Sequence, residues 1–142
     1  MNAAEQATNP EAATKIAAIV NLFKHQFPEV KVNLTPWTND PDTQEWVDPN
    51  SIDMGFNLPA GQTLLQLRMH ERRLIGIEAA CFGPFGSQRW RFSTVGDWNF
   101  LGKTPPPPGF QQQLKQTCQD IFRLFDAPET QSPDPSADND PF

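Results

Sequence analysis

No stretch of this 142-residue chain approaches the ~20 consecutive apolar residues that a helix needs to cross a bilayer, so no membrane-spanning helix is expected. The opening MNAAEQATNP lacks a basic segment followed by an apolar one, which argues against a secretory leader and for a cytoplasmic protein. Only two cysteines occur, Cys81 and Cys118, and each falls on the apolar side of an expected element. That placement suits buried thiols in a reducing compartment better than a disulfide framework. Histidine is equally scarce, with His25 beside Lys24 on an expected helix and His70 at the end of an expected strand. Neither cysteine has a neighbouring histidine in sequence, so a thiol nucleophile is disfavoured. The acidic stretch from Asp40 suggests calcium, but its sixth position is Glu45 instead of Gly and its twelfth is Ser51 instead of Glu, so it fails as an EF-hand. No metal and no cofactor is expected, and the triplet Asn33-Leu34-Thr35 is taken as a chance glycosylation match.

Charge is present but unevenly spread. The net value is −6, yet Asp40, Asp42, Glu45, Asp48 and Asp53 crowd one stretch without a cation, and Asp126, Glu129, Asp134, Asp138 and Asp140 crowd another. Between them, from Gln62 to Val95, Arg68, Arg72, Arg73, Arg89 and Arg91 face only Glu71 and Glu78, which makes the middle of the chain locally +3. The acidic blocks would repel phosphate and the arginines lack interleaved aromatics apart from Phe82, so nucleic acid is disfavoured as a partner.

Residues 1–8 read as a disordered N-terminus. Asn9-Pro10-Glu11 is a helix start: a capping side chain, a proline with φ already set, and an acid near the positive end of the dipole. Ile16, Ile19, Val20, Phe23 and Phe27 then recur at helical spacing until Pro28. Val30, Val32 and Leu34 read as a short strand, and Trp37 to Pro49 as a long polar flap carrying Trp37 and Trp46. Beyond it, period-two alternation places Ile52, Met54, Phe56 and Leu58 inward, then Leu65, Leu67 and Met69, then Ile75, Ile77, Ala79 and Cys81, then Trp90, Phe92 and Thr94. Glu71-Arg72-Arg73 makes a tight hairpin. Gly96 to Gly109, with prolines at 105–108, is a connection in which Trp98 covers a core edge. Phe110, Leu114, Cys118, Ile121, Phe122 and Phe125 form the stripe of a last helix.

The expectation is an α+β, two-layer domain: a four-stranded antiparallel meander with an N-terminal and a C-terminal helix, order αββββα, packed on one sheet face. One domain spans 9–125, followed by a disordered acidic, Pro-rich tail at 126–142. Matching apolar faces puts Ile52 opposite Met69, Phe56 opposite Leu65 and Asp53 opposite Arg68, and further along Arg68 opposite Gly76, Gln66 opposite Glu78, Glu78 opposite Ser93 and Ala80 opposite Arg91. The other face stays open, with small residues in the middle, arginines at the rim, and Leu64, Leu74 and Phe82 as apolar anchors.

The function expected is that of a non-enzymatic accessory or adaptor protein. In shape and composition it is similar to chaperone-like adaptors. It would bind another protein, or a second copy of itself as a homodimer, through the open face, the flap and the exposed Phe85 loop. The binding residues are Trp37, Trp46, Arg68, His70, Phe85, Arg89 and Arg91, because large aromatics and arginines are the types enriched at interface hot spots. Two alternatives follow from the same residues: an anion sensor using Arg68, Arg89, Arg91 and His70, whose guanidinium forks match carboxylate and phosphate, or an enzyme with His70 as base.

Overall fold

The computed structural model describes residues 1–37 and 47–126. The helix start at Asn9 is realised as expected. Asn9 adopts extended backbone and its Oδ1 accepts the Ala12 N–H at 2.8 Å, Pro10 occupies the first helical position, and Glu11 lies in the first turn. In chain order the elements are α1 (Ala3–Gln6), α2 (Pro10–Gln26), β1 (Lys31–Asn33), β2 (Ser51–Leu58), β3 (Gly61–His70), β4 (Arg73–Phe82), β5 (Gln88–Ser93), β6 (Phe100–Leu101) and α3 (Pro108–Asp126). The six strands form one antiparallel sheet in the order β1-β2-β3-β4-β5-β6.

The fold is therefore α+β with helices at both ends, but the expected count of four strands is corrected to six. The short β1 is a full member, with Val32 opposite Phe56. β6 pairs Leu101 with Arg91 and Phe100 with Phe92 inside what reads in sequence as a connection. Two residues are too few to display a period. Gly102 ends β6 at φ 138°, and a Cβ there would collide with the Arg89 and Trp90 backbone, so glycine is what lets the chain close against β5.

Inward-facing side chains from the sheet meet the two long helices in one core. Phe23 of α2 stacks on Phe56 at 4.0 Å, Phe27 meets Phe110 at 5.4 Å, and Trp90 meets Phe110 edge-on at 5.7 Å. Met54, Leu65, Leu67, Ile77, Phe92, Leu114 and Ile121 are fully buried around them. Each such side chain contributes about 1.5–3 kcal/mol on leaving water. Trp98 packs against Phe92 and Phe122 at 6.0 Å each, which is the covering role expected of it.

The register of β2 on β3 differs from expectation by two residues. Ile52 lies opposite Leu67 instead of Met69, Phe56 opposite Thr63 instead of Leu65, and Asp53 opposite Gln66 instead of Arg68. The link is a tight one, with Leu58 paired to Gly61 across Pro59-Ala60. A slip of two keeps every side chain on its face, so hydrophobic matching is blind to it and turn length decides. The remaining pairs, Arg68 with Gly76, Gln66 with Glu78, Glu78 with Ser93 and Ala80 with Arg91, are as expected.

The β3–β4 hairpin brings a second correction. A bulge beside Met69 pairs it with Leu74, which turns toward the core, and leaves Ile75 60% exposed, so these two exchange the faces expected of them. Glu71 and Arg72 form the turn with φ of 51° and 68°. Left-handed backbone costs about 1–2 kcal/mol per non-glycine residue, and two-residue hairpins of this kind favour Asn-Gly.

The first residues do not fray. Asn2 bridges to Asp53 beside β2, the Asp53 N–H donates to the Met1 carbonyl at 2.9 Å, and the Ala4 N–H donates to the Leu34 carbonyl at 3.0 Å. Ala3 is fully buried. Gln6 Nε2 adds bonds to the Pro49 and Ser51 carbonyls. The segment fills the place along β2 that the short β1 leaves vacant, a long-range pairing with no local signature.

Candidate functional site

With α2 and α3 on the inner face, no described helix crosses the outer one. Its side chains alternate with the core residues: Gly55 and Asn57 on β2; Leu64, Gln66 and Arg68 on β3; Gly76, Glu78, Ala80 and Phe82 on β4; Arg91 and Ser93 on β5. Two shallow depressions adjoin there. One, of about 600 Å³, lies among Lys31, Pro36, Trp37, Gly55, Leu64 and Phe82. The other, of about 640 Å³, lies among Leu64, Ala80, Phe82, Arg91, Val95 and Leu101. Leu64 and Phe82 are common to both and form an apolar saddle between them. Val95 and Leu101 are exposed beside the second depression.

Trp37 walls the first depression and is held there. Its indole N–H donates to Asp53 Oδ2 at 2.6 Å, and its backbone exchanges hydrogen bonds with the Asn2 side chain. Asp53, expected on the open surface opposite Arg68, is instead fully buried, with the Met1 ammonium 2.9 Å from Oδ2. That ammonium also donates to Ser51 Oγ at 3.0 Å and the Asp48 carbonyl at 2.7 Å. A buried carboxylate needs such partners, because an unpaired charge away from water is costly. Trp46 lies outside the described residues.

Arg68 is an occupied cation. Its guanidinium spans Asp48 Oδ2 at 3.1 Å and Glu78 Oε1 at 3.0 Å. Partial burial works against the charge, but Glu78 and Asp48 more than offset it and hold the guanidinium above its ordinary pKa. His70 is 71% exposed with Nε2 3.7 Å from Glu71 Oε1. It stands at the hairpin end, whereas Arg91 and Arg89 stand on β5, so the four cations expected to form one anion site do not converge. Arg91 lines the second depression. Arg89 sits at the β4–β5 bulge beside Gly83. Phe85 caps the β4–β5 turn, 98% exposed, with Gly86 in left-handed backbone after it.

Lys31, Val95 and Leu101 also border the face and were not anticipated from sequence. Extending the alternation of β1 would have found Lys31. Leu101 could be found only by recognising β6. Among the described residues Lys31 and Arg91, one in each depression, make no ion pair, while Glu78 is taken by Arg68.

The sheet edges are closed by contrast with the face. Beyond the three residues of β1, the N-terminal segment pairs along β2, and beyond the two of β6 the Thr104 N–H donates to the Arg89 carbonyl at 3.1 Å. Such short edges are poor templates for strand addition. Both thiols are withdrawn as well. Burial raises the Cys81 thiol against the lowering effects of Thr63 and Arg89, and pushes Cys118 up to about 12. Among the described residues no cluster of three or more His, Cys, Asp or Glu is placed to hold a metal ion, and no helix is long and apolar enough to cross a membrane.

A six-stranded antiparallel meander with helices at both ends, packed on one face only, defines a two-layer α+β domain. The chain belongs to a family described as a domain of unknown function, whose model matches residues 4–127. No curated protein and no solved structure matches it.

Proposed function

We propose that this is a non-enzymatic, protein-binding accessory domain whose outer sheet face receives a segment of a partner protein. The observation that carries the reading is the apolar saddle of Leu64 and Phe82 between two adjoining depressions, on a face that no described helix covers. Isolated apolar residues on a surface are ordinary, but a continuous apolar patch rimmed by polar groups marks an interaction surface. The closed edges favour docking onto the face over strand addition.

Charge narrows the partner. Lys31 and Arg91 each offer a cation to one depression, so the segment that fits is amphipathic and acidic, with apolar side chains astride Leu64 and Phe82 and carboxylates at its ends. Phe85, exposed at the β4–β5 turn, adds an aromatic anchor of the type enriched at hot spots. A sheet of six strands about 4.8 Å apart is roughly 24 Å across, comparable to a helix of about 16 residues.

The test is affinity capture from native, nuclease-treated lysate with the wild type and with a Leu64→Glu, Phe82→Glu variant, followed by rebinding of the captured protein in purified form. A protein that rebinds the wild type and not the folded variant supports the reading. Equal rebinding to both, or capture of nothing, contradicts it.

A further inference from the structure

A separate cavity lies on the helical side of the molecule, where five segments converge: the α1–α2 link, the first turns of α2, the start of β2, the β3–β4 hairpin and the end of α3. It is open to solvent and measures about 320 Å³, a volume within the range of small-molecule sites. Ile52, Met69 and Phe125 supply apolar walls, and Glu11, Lys15, Glu71 and Arg72 supply charges.

Those charges are not equivalent. Glu71 stands beside His70, and Lys15 lies over the Phe125 ring at 4.9 Å, with further interactions engaging both Lys15 and Glu11. Arg72 makes no ion pair among the described residues. Its backbone is left-handed, a conformation that a non-glycine residue resists, with φ of 68° following Glu71 at 51°. Asparagine and glycine would make this turn more readily. The Glu-Arg pair therefore places charge at the cavity at the expense of an easier turn, and the adjoining bulge turns Leu74 inward with Met69. Strain and bulges of this kind concentrate at functional positions.

We propose that this cavity binds a small amphipathic carboxylate, its apolar chain against Ile52, Met69 and Phe125 and its carboxylate on the Arg72 guanidinium. A guanidinium matches a carboxylate in charge and in its paired donors. This site is independent of the outer face and of what docks there.

Methionine methyl NMR on the intact chain reads the site directly, because Met69 lines the cavity and Met54, fully buried in the core, serves as the internal reference. Hexanoate is the probe and hexan-1-ol its uncharged counterpart. A saturable shift of Met69 with hexanoate, absent from Met54 and weakened about tenfold for Arg72→Gln, is expected, that being the size of one charge-assisted hydrogen bond. Hexan-1-ol should bind more weakly and be indifferent to the substitution. Arg72→Gly gives a second arm: relief of the left-handed strain should raise Tm by roughly 3 °C while the preference for hexanoate is lost. No saturable Met69 shift, equal response to hexanoate and hexan-1-ol, or undiminished hexanoate binding in either Arg72 variant overturns the proposal.

Discussion

The two faces of one sheet are built from alternate residues of the same strands, yet they differ in almost every physical respect. The inner face presents Met54, Phe56, Leu65, Leu67, Ile77, Trp90 and Phe92, all fully buried under α2 and α3. The outer presents glycine, alanine, amides and arginine around Leu64 and Phe82. Large apolar side chains on the inner face leave one packing solution and supply the stability. On the outer face small residues leave depressions, and charges such as Arg68 are satisfied laterally by Asp48 and Glu78 instead of by a covering layer. The packed core and the open depressions are thus assigned to opposite parities of the alternation.

Substitutions can break this contrast in graded steps. Phe23→Ala removes a ring stacked on Phe56 at 4.0 Å in the core, and should cost about 4 kcal/mol in urea unfolding. Asp53→Ala follows closely, at about 3 kcal/mol, although Asp53 has outer-face parity, because it leaves the Trp37 indole without its acceptor and the Met1 ammonium without its counter-charge. A cost under about 0.5 kcal/mol would show that the Asp53 carboxylate adds nothing to holding the N-terminal segment on β2.

Alkaline pH tests the inner layer through Cys118. Its folded thiol is raised by burial to about 12 from an ordinary value of 9.0, so the folded chain keeps a proton that the unfolded chain releases. The resulting stability is complete below about pH 9 and is lost as pH rises toward about 12. The urea midpoint should fall between pH 8.5 and pH 10.5, values chosen roughly to bracket the unfolded thiol, and fall less in Cys118→Ala. Arg68→Ala, in a partly exposed network, should cost about 1 kcal/mol or less, and that cost should shrink in high salt. The smallest effect is reserved for Leu101→Glu, 56% exposed on the outer face, which should leave Tm nearly unchanged.

The same contrast explains what the sequence made legible. Alternation and helical spacing report which side of an element is apolar, so both long helices, the inner-face residues and the outer cluster of Gly76, Ala80 and Ser93 could be read directly. They do not report register modulo two, which is why Asp53 was expected beside Arg68 and is found beside Gln66. Nor do they report a bulge, which is why Ile75 and Leu74 exchange places. β6 is too short for any period, and the pairing of Asn2 with Asp53 joins residues 51 positions apart with only the fold to bring them together. Of the expected binding residues, Trp37 walls the first outer depression, Arg91 lines the second, Phe85 stands exposed at the β4–β5 turn, and Arg68 is neutralised. His70 is set apart because the length of β3 carries it to the hairpin.

The central claim is that the outer face is the docking surface, and hydroxyl-radical footprinting of the wild-type chain with and without its captured partner tests it most directly. The account predicts that Leu64, Phe82 and Leu101 lose reactivity in the complex while Phe122, Leu124 and Phe125 on α3 keep theirs. Protection of α3 with Leu64 and Phe82 unchanged would contradict it.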